Sequence, residues 1–408
     1  AAFNNLIRPK HLVMYDRANQ LFTLTPDPTP FISRVCGKIA GVFKCKSRVV
    51  SEVDFAHEEM VHEYNSSRVS LEVLSARAQS ATNFLTTTST KALSKMREKA
   101  KVVKHELCNK EDKVKLTQHL TAFSGYIPVV STSNLKNEEI AIRNRVMCVT
   151  PKPDQDEWDA LMREYRTESR LDLDPQRIDY DLEKMFHKWN DNFPKGRKAN
   201  QLKAWEELKT RELQPKDLFR KFFVKVEKLM KSTPNGYEDF NPRAIQGATD
   251  HANVVLSPFV AQVSKLVAKD WNGKDNEFFY TAGATGDRIG QWMADNYECG
   301  DWIVEIDFST YDGTQGEQVQ HLIDTMMGDF GIDDYGDARY VLNGHKHITG
   351  FSPNGLEYHV DYQMCSGNPN TSVSNSTTTG LTSRRVLRSV FGEVKAIAVM
   401  GDDNTTII

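Results

Sequence analysis

Residues 394–408 read VKAIAVMGDDNTTII. Val394 to Met400 make an apolar run of strand length, Gly401-Asp402-Asp403 follow, and the chain returns through Asn404, Thr405, Thr406, Ile407 and Ile408. Two such segments joined by Gly and Asp, residues that tolerate positive φ, predict a β-hairpin. Alone, a Gly-Asp-Asp sequence is no more than a turn. It gains chemical meaning from WIVEIDFSTYD at 302–312. There Trp302, Ile303, Val304 and Ile306 predict a buried strand running straight into Asp307, with Asp312 five residues on.

Both acidic sites thus lie at the end of an apolar strand, where an uncompensated carboxylate is costly. If the two strands are neighbours, Asp307 and Asp402 converge and repel, and divalent cations resolve the repulsion. Hard oxygen ligands without His or Cys point to Mg²⁺ or Mn²⁺ rather than zinc. Two such ions, about 3.5–4 Å apart, serve nucleotidyl transfer by activating the attacking hydroxyl and the leaving pyrophosphate. The six cysteines, Cys36, Cys45, Cys108, Cys148, Cys299 and Cys365, include no pair two to four apart, so zinc lacks local support. They read as reduced thiols.

Between the strands lies MCSGNPNTSVSNSTTTGLTSRRVLRSVFG, residues 364–392. Its second half predicts a helix with Leu381, Val386, Leu387 and Val390 on the apolar side. Its first half is crowded with Ser, Thr and Asn, which compete for backbone hydrogen bonds. Ser366-Gly367 reads as a flexible loop, and Thr371 and Asn375, four apart, share a helix face. A capped helix start with polar residues facing solvent is one reading. The other is a surface that hydrogen-bonds sugar hydroxyls and template backbone, since such conflicts with local propensity fall at functional sites.

Upstream, KDLFRKFFVKVEKLMK at 216–231 alternates basic residues with Phe222, Val224 and Val226, the period of a half-buried strand. Residues 151–215 read as helical after Pro151 and Pro153. From Phe55 to Leu107 Pro and Gly are absent, which predicts one or two long helices. The basic run Lys91, Lys95, Arg97, Lys99, Lys101 and Lys104 then reads as a solvated helix face, with an RNA contact as the alternative. Residues 1–55, with Pro9, Pro26, Pro28 and Pro30, read as an extended, loop-rich arm. At 408 residues, 39% hydrophobic and 26% charged, the chain can bury more than one subdomain core. It has no run of the roughly 18 apolar residues a membrane helix needs, and Ala1 to Lys10 lack the basic start and apolar stretch expected of a secretory signal. The net charge of -3 argues against indiscriminate nucleic-acid binding, but an enzyme that encloses nucleic acid needs only a basic groove.

Three patterns in this order, D-x4-D after a strand, S-G-x3-T-x3-N on a loop and helix, and G-D-D on a hairpin, resemble motifs A, B and C of the RNA-dependent RNA polymerases of positive-strand RNA viruses. DFSTYD also resembles the tombusvirus-like form of motif A. KVEKLMKSTPNGYEDFNPRAIQG, residues 225–247, is similar to motif F of the same enzymes. The resemblance covers roughly residues 215–408.

It implies an α+β right-hand polymerase with a ferredoxin-like palm of β-α-β-β-α-β type. On this reading residues 1–200 are an amino-terminal extension and part of the fingers, mostly helical. Residues 201–300 are fingers with motif F, and 301–408 an incomplete palm. The family continues past motif C into motifs D and E and a thumb, so a chain stopping at Ile408 is expected to lack the thumb and to polymerise poorly by itself. Asp307 and Asp402 are implied as metal ligands, with Asp403 an auxiliary acid, for two Mg²⁺ or Mn²⁺ ions. Asp312 and Asn375 would read the ribose 2′-hydroxyl, with Ser366, Gly367 and Thr371 beside them. Lys225, Lys228 and Arg243 would line the nucleotide path; for the two lysines alone an exposed strand face is the better reading, while Arg243 between Pro242 and Ile245 strengthens the nucleotide one.

The implied reaction is template-directed RNA synthesis. The implied partners are template and nascent RNA, ribonucleoside triphosphates and other viral replication proteins, in membrane-associated complexes of the host cytoplasm. A reverse transcriptase or DNA polymerase on the same palm is the alternative enzyme. Gly401 and the Asp312–Asn375 pair speak against it, because reverse transcriptases carry an aromatic residue and a bulky ribose gate there. A fragment that binds RNA or partners without catalysis is the other alternative.

Overall fold

The computed structural model describes residues 9–16, 21–23, 85–105, 129–150, 152–229 and 240–408. In chain order the strands are β1 (Pro9–Asp16), β2 (Leu21–Thr23), β3 (Leu85–Thr87), β4 (Lys101–Lys104), β5 (Val129–Ser131), β6 (Arg220–Val224), β7 (Glu227–Leu229), β8 (Ala244–Gly247), β9 (Phe278–Tyr280), β10 (Ile303–Phe308), β11 (Ile348–Phe351), β12 (Leu356–Val360), β13 (Ala396–Met400) and β14 (Asp403–Ile407). The helices are α1 (Leu135–Ala141), α2 (Gln155–Glu168), α3 (Leu182–Asn190), α4 (Lys195–Leu208), α5 (Asp250–Asp270), α6 (Gly286–Asn296), α7 (Tyr311–Thr314), α8 (Glu317–Asp329), α9 (Ala338–Asn343) and α10 (Thr371–Phe391).

A six-stranded mixed sheet in the order β2-β1-β10-β14-β13-β9 carries the acidic strands. β10 runs antiparallel to both β1 and β14, β13 and β14 form the expected hairpin, and β9 lies parallel to β13. Along β10, Val304, Ile306 and Phe308 point into the core while Glu305 and Asp307 stand exposed on the other face. Burial therefore alternates, and Trp302, expected inside, is 38% exposed. An antiparallel strand with one free face buries every second side chain, not a continuous apolar run. The covered face packs on α5 through Phe259 and Val263, on α8 through Leu322 and Met326, and on α10 through Val373 and Leu381.

A five-stranded sheet, β4-β12-β11-β6-β8, carries the basic segment. Here Phe222 and Val224 are buried as their spacing predicts, against Tyr358, Ile348, Ile142 and Met147. Val226, past the end of β6, is 45% exposed and departs from that period. α1 is fastened to the β11–β12 turn by a fully buried carboxylate. Glu138 accepts hydrogen bonds from Ser133 Oγ (2.5 Å), Ser352 Oγ (2.6 Å), Asn354 Nδ2 (2.7 Å) and the Asn354 backbone N–H (3.3 Å). Those donors replace the water such a group would lose on burial. A third sheet, β3-β5-β7, completes the strand pairing.

Two expectations need correction. The long helices expected over 55–107 are absent from the described part, 85–105, where the chain forms β3 and β4 instead. Val102 and Val103 of β4 pair with Tyr358 and Glu357 of β12, so β-branched residues meet a distant strand and override the apparent periodicity. Residues 55–84 lie outside the described residues. The second correction concerns the reading of a solvent-facing polar helix start; α10 itself spans Thr371–Phe391, in keeping with the helix face shared by Thr371 and Asn375. Ser374, Asn375, Ser376, Thr377, Thr378 and Thr379 are all buried, so in the polar first half of α10 only Ser372, in the first turn, is exposed. Thr377 and Thr382 donate their hydroxyl protons to the carbonyls of Val373 (2.8 Å) and Thr378 (2.7 Å), one turn back. Hydroxyls satisfied within the helix can be buried at little cost.

Candidate active site

Antiparallel register brings the acidic residues together. Val304 lies opposite Thr406 and Glu305 opposite Thr405, and Asn404 Nδ2 donates to the Ile306 carbonyl at 3.2 Å. The pairing ends at Glu305; continued two residues further, the same register would set Asp307 opposite Asp403, beside Asp402 at the hairpin turn. In that turn Gly401 alone takes a positive φ, +68°, and Met400 pairs with Asp403 around it. A two-residue loop with Gly first fits the right-handed twist of its strands. A methyl group at Gly401 would meet nothing within 4 Å, so only the backbone conformation is penalised. Gly401→Ala is expected to lower stability by about 1 kcal/mol, measured by chemical denaturation; an unchanged midpoint would show that the turn relaxes.

Asp402 is half-buried, and its carboxyl is raised above the usual range. Burial is the main cause, opposed by a backbone hydrogen bond and reinforced by the negative charges of Asp403, Asp312 and Asp307. Among the described residues no set of three or more His, Cys, Asp or Glu side chains forms a cage able to hold a metal by itself. Mg²⁺ does not demand such a cage. It is commonly held by one or two carboxylates together with water and substrate phosphates, and converging, mutually repelling carboxylates fit that mode.

The chain leaves β10 under strain. Thr310 takes a left-handed conformation, φ +59°, and α7 then presents Asp312. Asp312 accepts a hydrogen bond from Ser366 Oγ and another from Asn375 Nδ2 at 2.8 Å. Burial still raises its carboxyl, against those two bonds and the positive charges of Arg243 and Arg145. The other polar atom of Asn375, Oδ1, is buried without a partner, an acceptor left open beside the carboxylates. Gly367, at φ +109°, turns the loop before α10, and Thr371 Oγ1 donates to the Cys365 carbonyl at 2.8 Å. The Gly401 N–H donates to Ser376 Oγ at 2.7 Å, tying the acidic turn to α10.

The basic residues are partly engaged. Lys225 and Arg243 both hold Glu227, at 2.9 and 3.0 Å, and remain substantially exposed. Lys228 sits on β7, paired with Val130.

A model of the RNA dependent RNA polymerase family matches residues 155–408, more than half of the chain. The chain belongs to that family. It is therefore a nucleotidyltransferase that synthesises RNA on an RNA template. No curated protein matches it. The palm implied by the family corresponds here to a mixed α+β arrangement, and no helix among the described residues is long and apolar enough to cross a membrane.

Two arginines of the polymerase escaped the sequence reading. Arg97, inside the run taken for a solvated face, uses every donor it has. Nε reaches the Cys148 carbonyl (3.0 Å), and Nη1 the carbonyls of Asp361 (2.9 Å) and Tyr362 (3.1 Å). Nη2 reaches the Gly313 carbonyl (3.1 Å) and Gln363 Oε1 (2.8 Å). Gln363 Nε2 in turn donates to the Asp312 carbonyl at 2.8 Å. Arg97 thus fixes the backbone that presents Asp312. Arg145 follows α1 in a wide helical turn, and a Cβ at Gly313 would come within 2.6 Å of its carbonyl. Burial and the neighbouring Arg243 lower the pKa of Arg145, which leaves two guanidinium groups near Asp312. A run of basic residues holds no local signal separating one structural arginine from its solvated neighbours.

Proposed function

We propose that Asp307 and Asp402, with Asp403 beside them, hold the divalent ions of a tombusvirus-like, positive-strand RNA virus polymerase, and that Asp312 and Asn375 select ribonucleotides. The observation that carries this reading is the buried, unpaired Oδ1 of Asn375. Its Nδ2 is committed to Asp312 next to converging carboxylates. A ribose 2′-hydroxyl can donate to that oxygen, and a deoxyribose cannot.

When bound, two Mg²⁺ or Mn²⁺ ions would neutralise charge and activate the RNA 3′-hydroxyl and the departing pyrophosphate. The chain's own residues orient and select. Asp312, clasped by Ser366 and Asn375, keeps the amide aimed at the sugar, while Gly367 and Thr371 fix the loop that brings Ser366 there. Arg243 and Arg145, joined by Lys225 and Lys228, supply cationic charge for the triphosphate, with Arg suited to a bidentate grip on phosphate oxygens. The 3′-hydroxyl gives up its proton to solvent water, its oxygen bonds to the α-phosphorus as the bond to the bridging oxygen breaks, and pyrophosphate leaves with that electron pair. The segments 307–312 and 225–247 support the lineage, and membrane-associated replication in the host cytoplasm with other viral proteins belongs to the same proposal.

Asn375→Ala tests it. The preference for ribo- over deoxyribonucleoside triphosphates, as a ratio of kcat/KM values, is expected to fall about tenfold to a hundredfold, the worth of one or two hydrogen bonds. An unchanged ratio would remove this residue as the reader of the sugar.

A further inference from the structure

Away from the carboxylates, a cleft of about 540 Å³ opens between α2 and α8, in the size range of small-ligand sites. Two of its lining residues are buried with unsatisfied polar groups. Gln320 is 1% exposed and neither its amide nitrogen nor its amide oxygen has a partner; Trp158 is 2% exposed and its indole N–H has none. Buried amides are rarely left so, because each lost hydrogen bond with water is uncompensated. On the rim, Arg163 and Arg166 lie three residues apart on α2, both exposed and neither in an ion pair among the described residues. Lys346, across the cleft, is held by Asp324 at 3.2 Å. Asp159 and Glu317 also line it, so a bare polyanion would meet repulsion.

We infer that this cleft is a second nucleotide-binding site, separate from the catalytic centre. A nucleotide matches the mixture of groups better than a simple anion does. A base edge offers a donor and an acceptor to a single amide, as glutamine provides. Ribose hydroxyls donate to carboxylates, and a phosphate suits two unpaired guanidinium groups. Tyr362 and Met162 supply apolar surface against which a base can stack. The site also touches the catalytic framework. Tyr362, at φ +50°, gives its carbonyl to Arg97, and Gln363 next to it donates to the Asp312 carbonyl. An occupant that moves Tyr362 therefore bears on the residue proposed to read the sugar.

The test is equilibrium binding of AMP, CMP, GMP and UMP to the full chain without divalent ions, with inorganic phosphate as a separate ligand. Monophosphates cannot be incorporated, so the readout does not depend on polymerisation. At least one is expected to bind, about tenfold or more weaker in the double variant Arg163→Glu/Arg166→Glu and in Gln320→Met, and with unchanged affinity in Arg243→Ala. Four outcomes would overturn the inference: no binding at millimolar concentration, binding indifferent to both pocket variants, loss of binding in Arg243→Ala, or phosphate binding as tightly as any nucleotide.

Discussion

Asp402→Asn is expected to reduce ribonucleotide incorporation by about a thousandfold or more, equivalent to about 4 kcal/mol of lost transition-state stabilisation. Asn preserves the shape of the turn and one oxygen but removes the charge, and the charges of Asp403, Asp312 and Asp307 all act on this carboxylate, a repulsion a divalent ion would relieve. The same substitution carries an opposite expectation for stability. Burial and the charges of Asp403, Asp312 and Asp307 raise the Asp402 carboxyl in the folded chain. A group with a raised folded pKa contributes stability that is complete below its unfolded pKa and is lost as pH rises through the folded one. At neutral pH, without divalent ions, ionised Asp402 is therefore a burden, and Asp402→Asn should melt at the same temperature as the wild type or higher. Primer extension and thermal denaturation together check both halves. A mutant that is inactive because it melts much earlier would not support a role for the charge, and one that keeps a tenth of the activity would place the essential acid elsewhere.

Arg97→Ala is expected to cost about 2–3 kcal/mol of stability, the scale of losing a cluster of charge-assisted hydrogen bonds at a half-buried site. Five acceptors on Cys148, Asp361, Tyr362, Gly313 and Gln363 lose their donor at once. Arg97→Lys should recover only part of this, since one ammonium offers three donors from a single point and cannot span the same fork. Where the lysine variant folds, its KM for ribonucleoside triphosphates should rise even though its urea midpoint is partly recovered, because the clamp sets the backbone of Asp312 and Gly313. Urea denaturation and steady-state kinetics are the measurements. A wild-type-like alanine variant would show that water takes over the five bonds.

What could be read beforehand was local chemistry at strand ends. The hairpin at 396–407, the strand at 303–308 and the alternation of Phe222 and Val224 each follow from neighbours within a few residues, and the structure has them. The α+β class was implied by the family resemblance, and the structure is a mixed α+β arrangement. Two kinds of feature stayed hidden. One is pairing at long range: nothing near Val102 announces Tyr358 as its partner, so a stretch without Pro or Gly passed for a helix. The other is hydroxyl satisfaction. Thr377 and Thr382 bond to their own helix, and composition alone cannot distinguish such residues from those of a loop. The candidate site divides similarly. Asp312, Ser366 and Asn375 were named and do meet, whereas Arg97 and Arg145 act through backbone contacts that only the folded chain defines.

The first described strand bears on when this sheet can exist at all. Tyr15 of β1 pairs with Ile303 of β10, about 290 residues later in the chain. At a synthesis rate of about 5–20 residues per second, β1 waits roughly 15–60 s for the strand that carries Asp307. The acidic hairpin that flanks β10 on its other side is made later still. Closing so long a loop is a slow step, so during that interval the nascent chain offers an unpaired strand edge to whatever is nearby. Assembly of this sheet is then paced by translation of the strands from β10 to β14, and factors that hold β1 during that interval would govern how much of it forms.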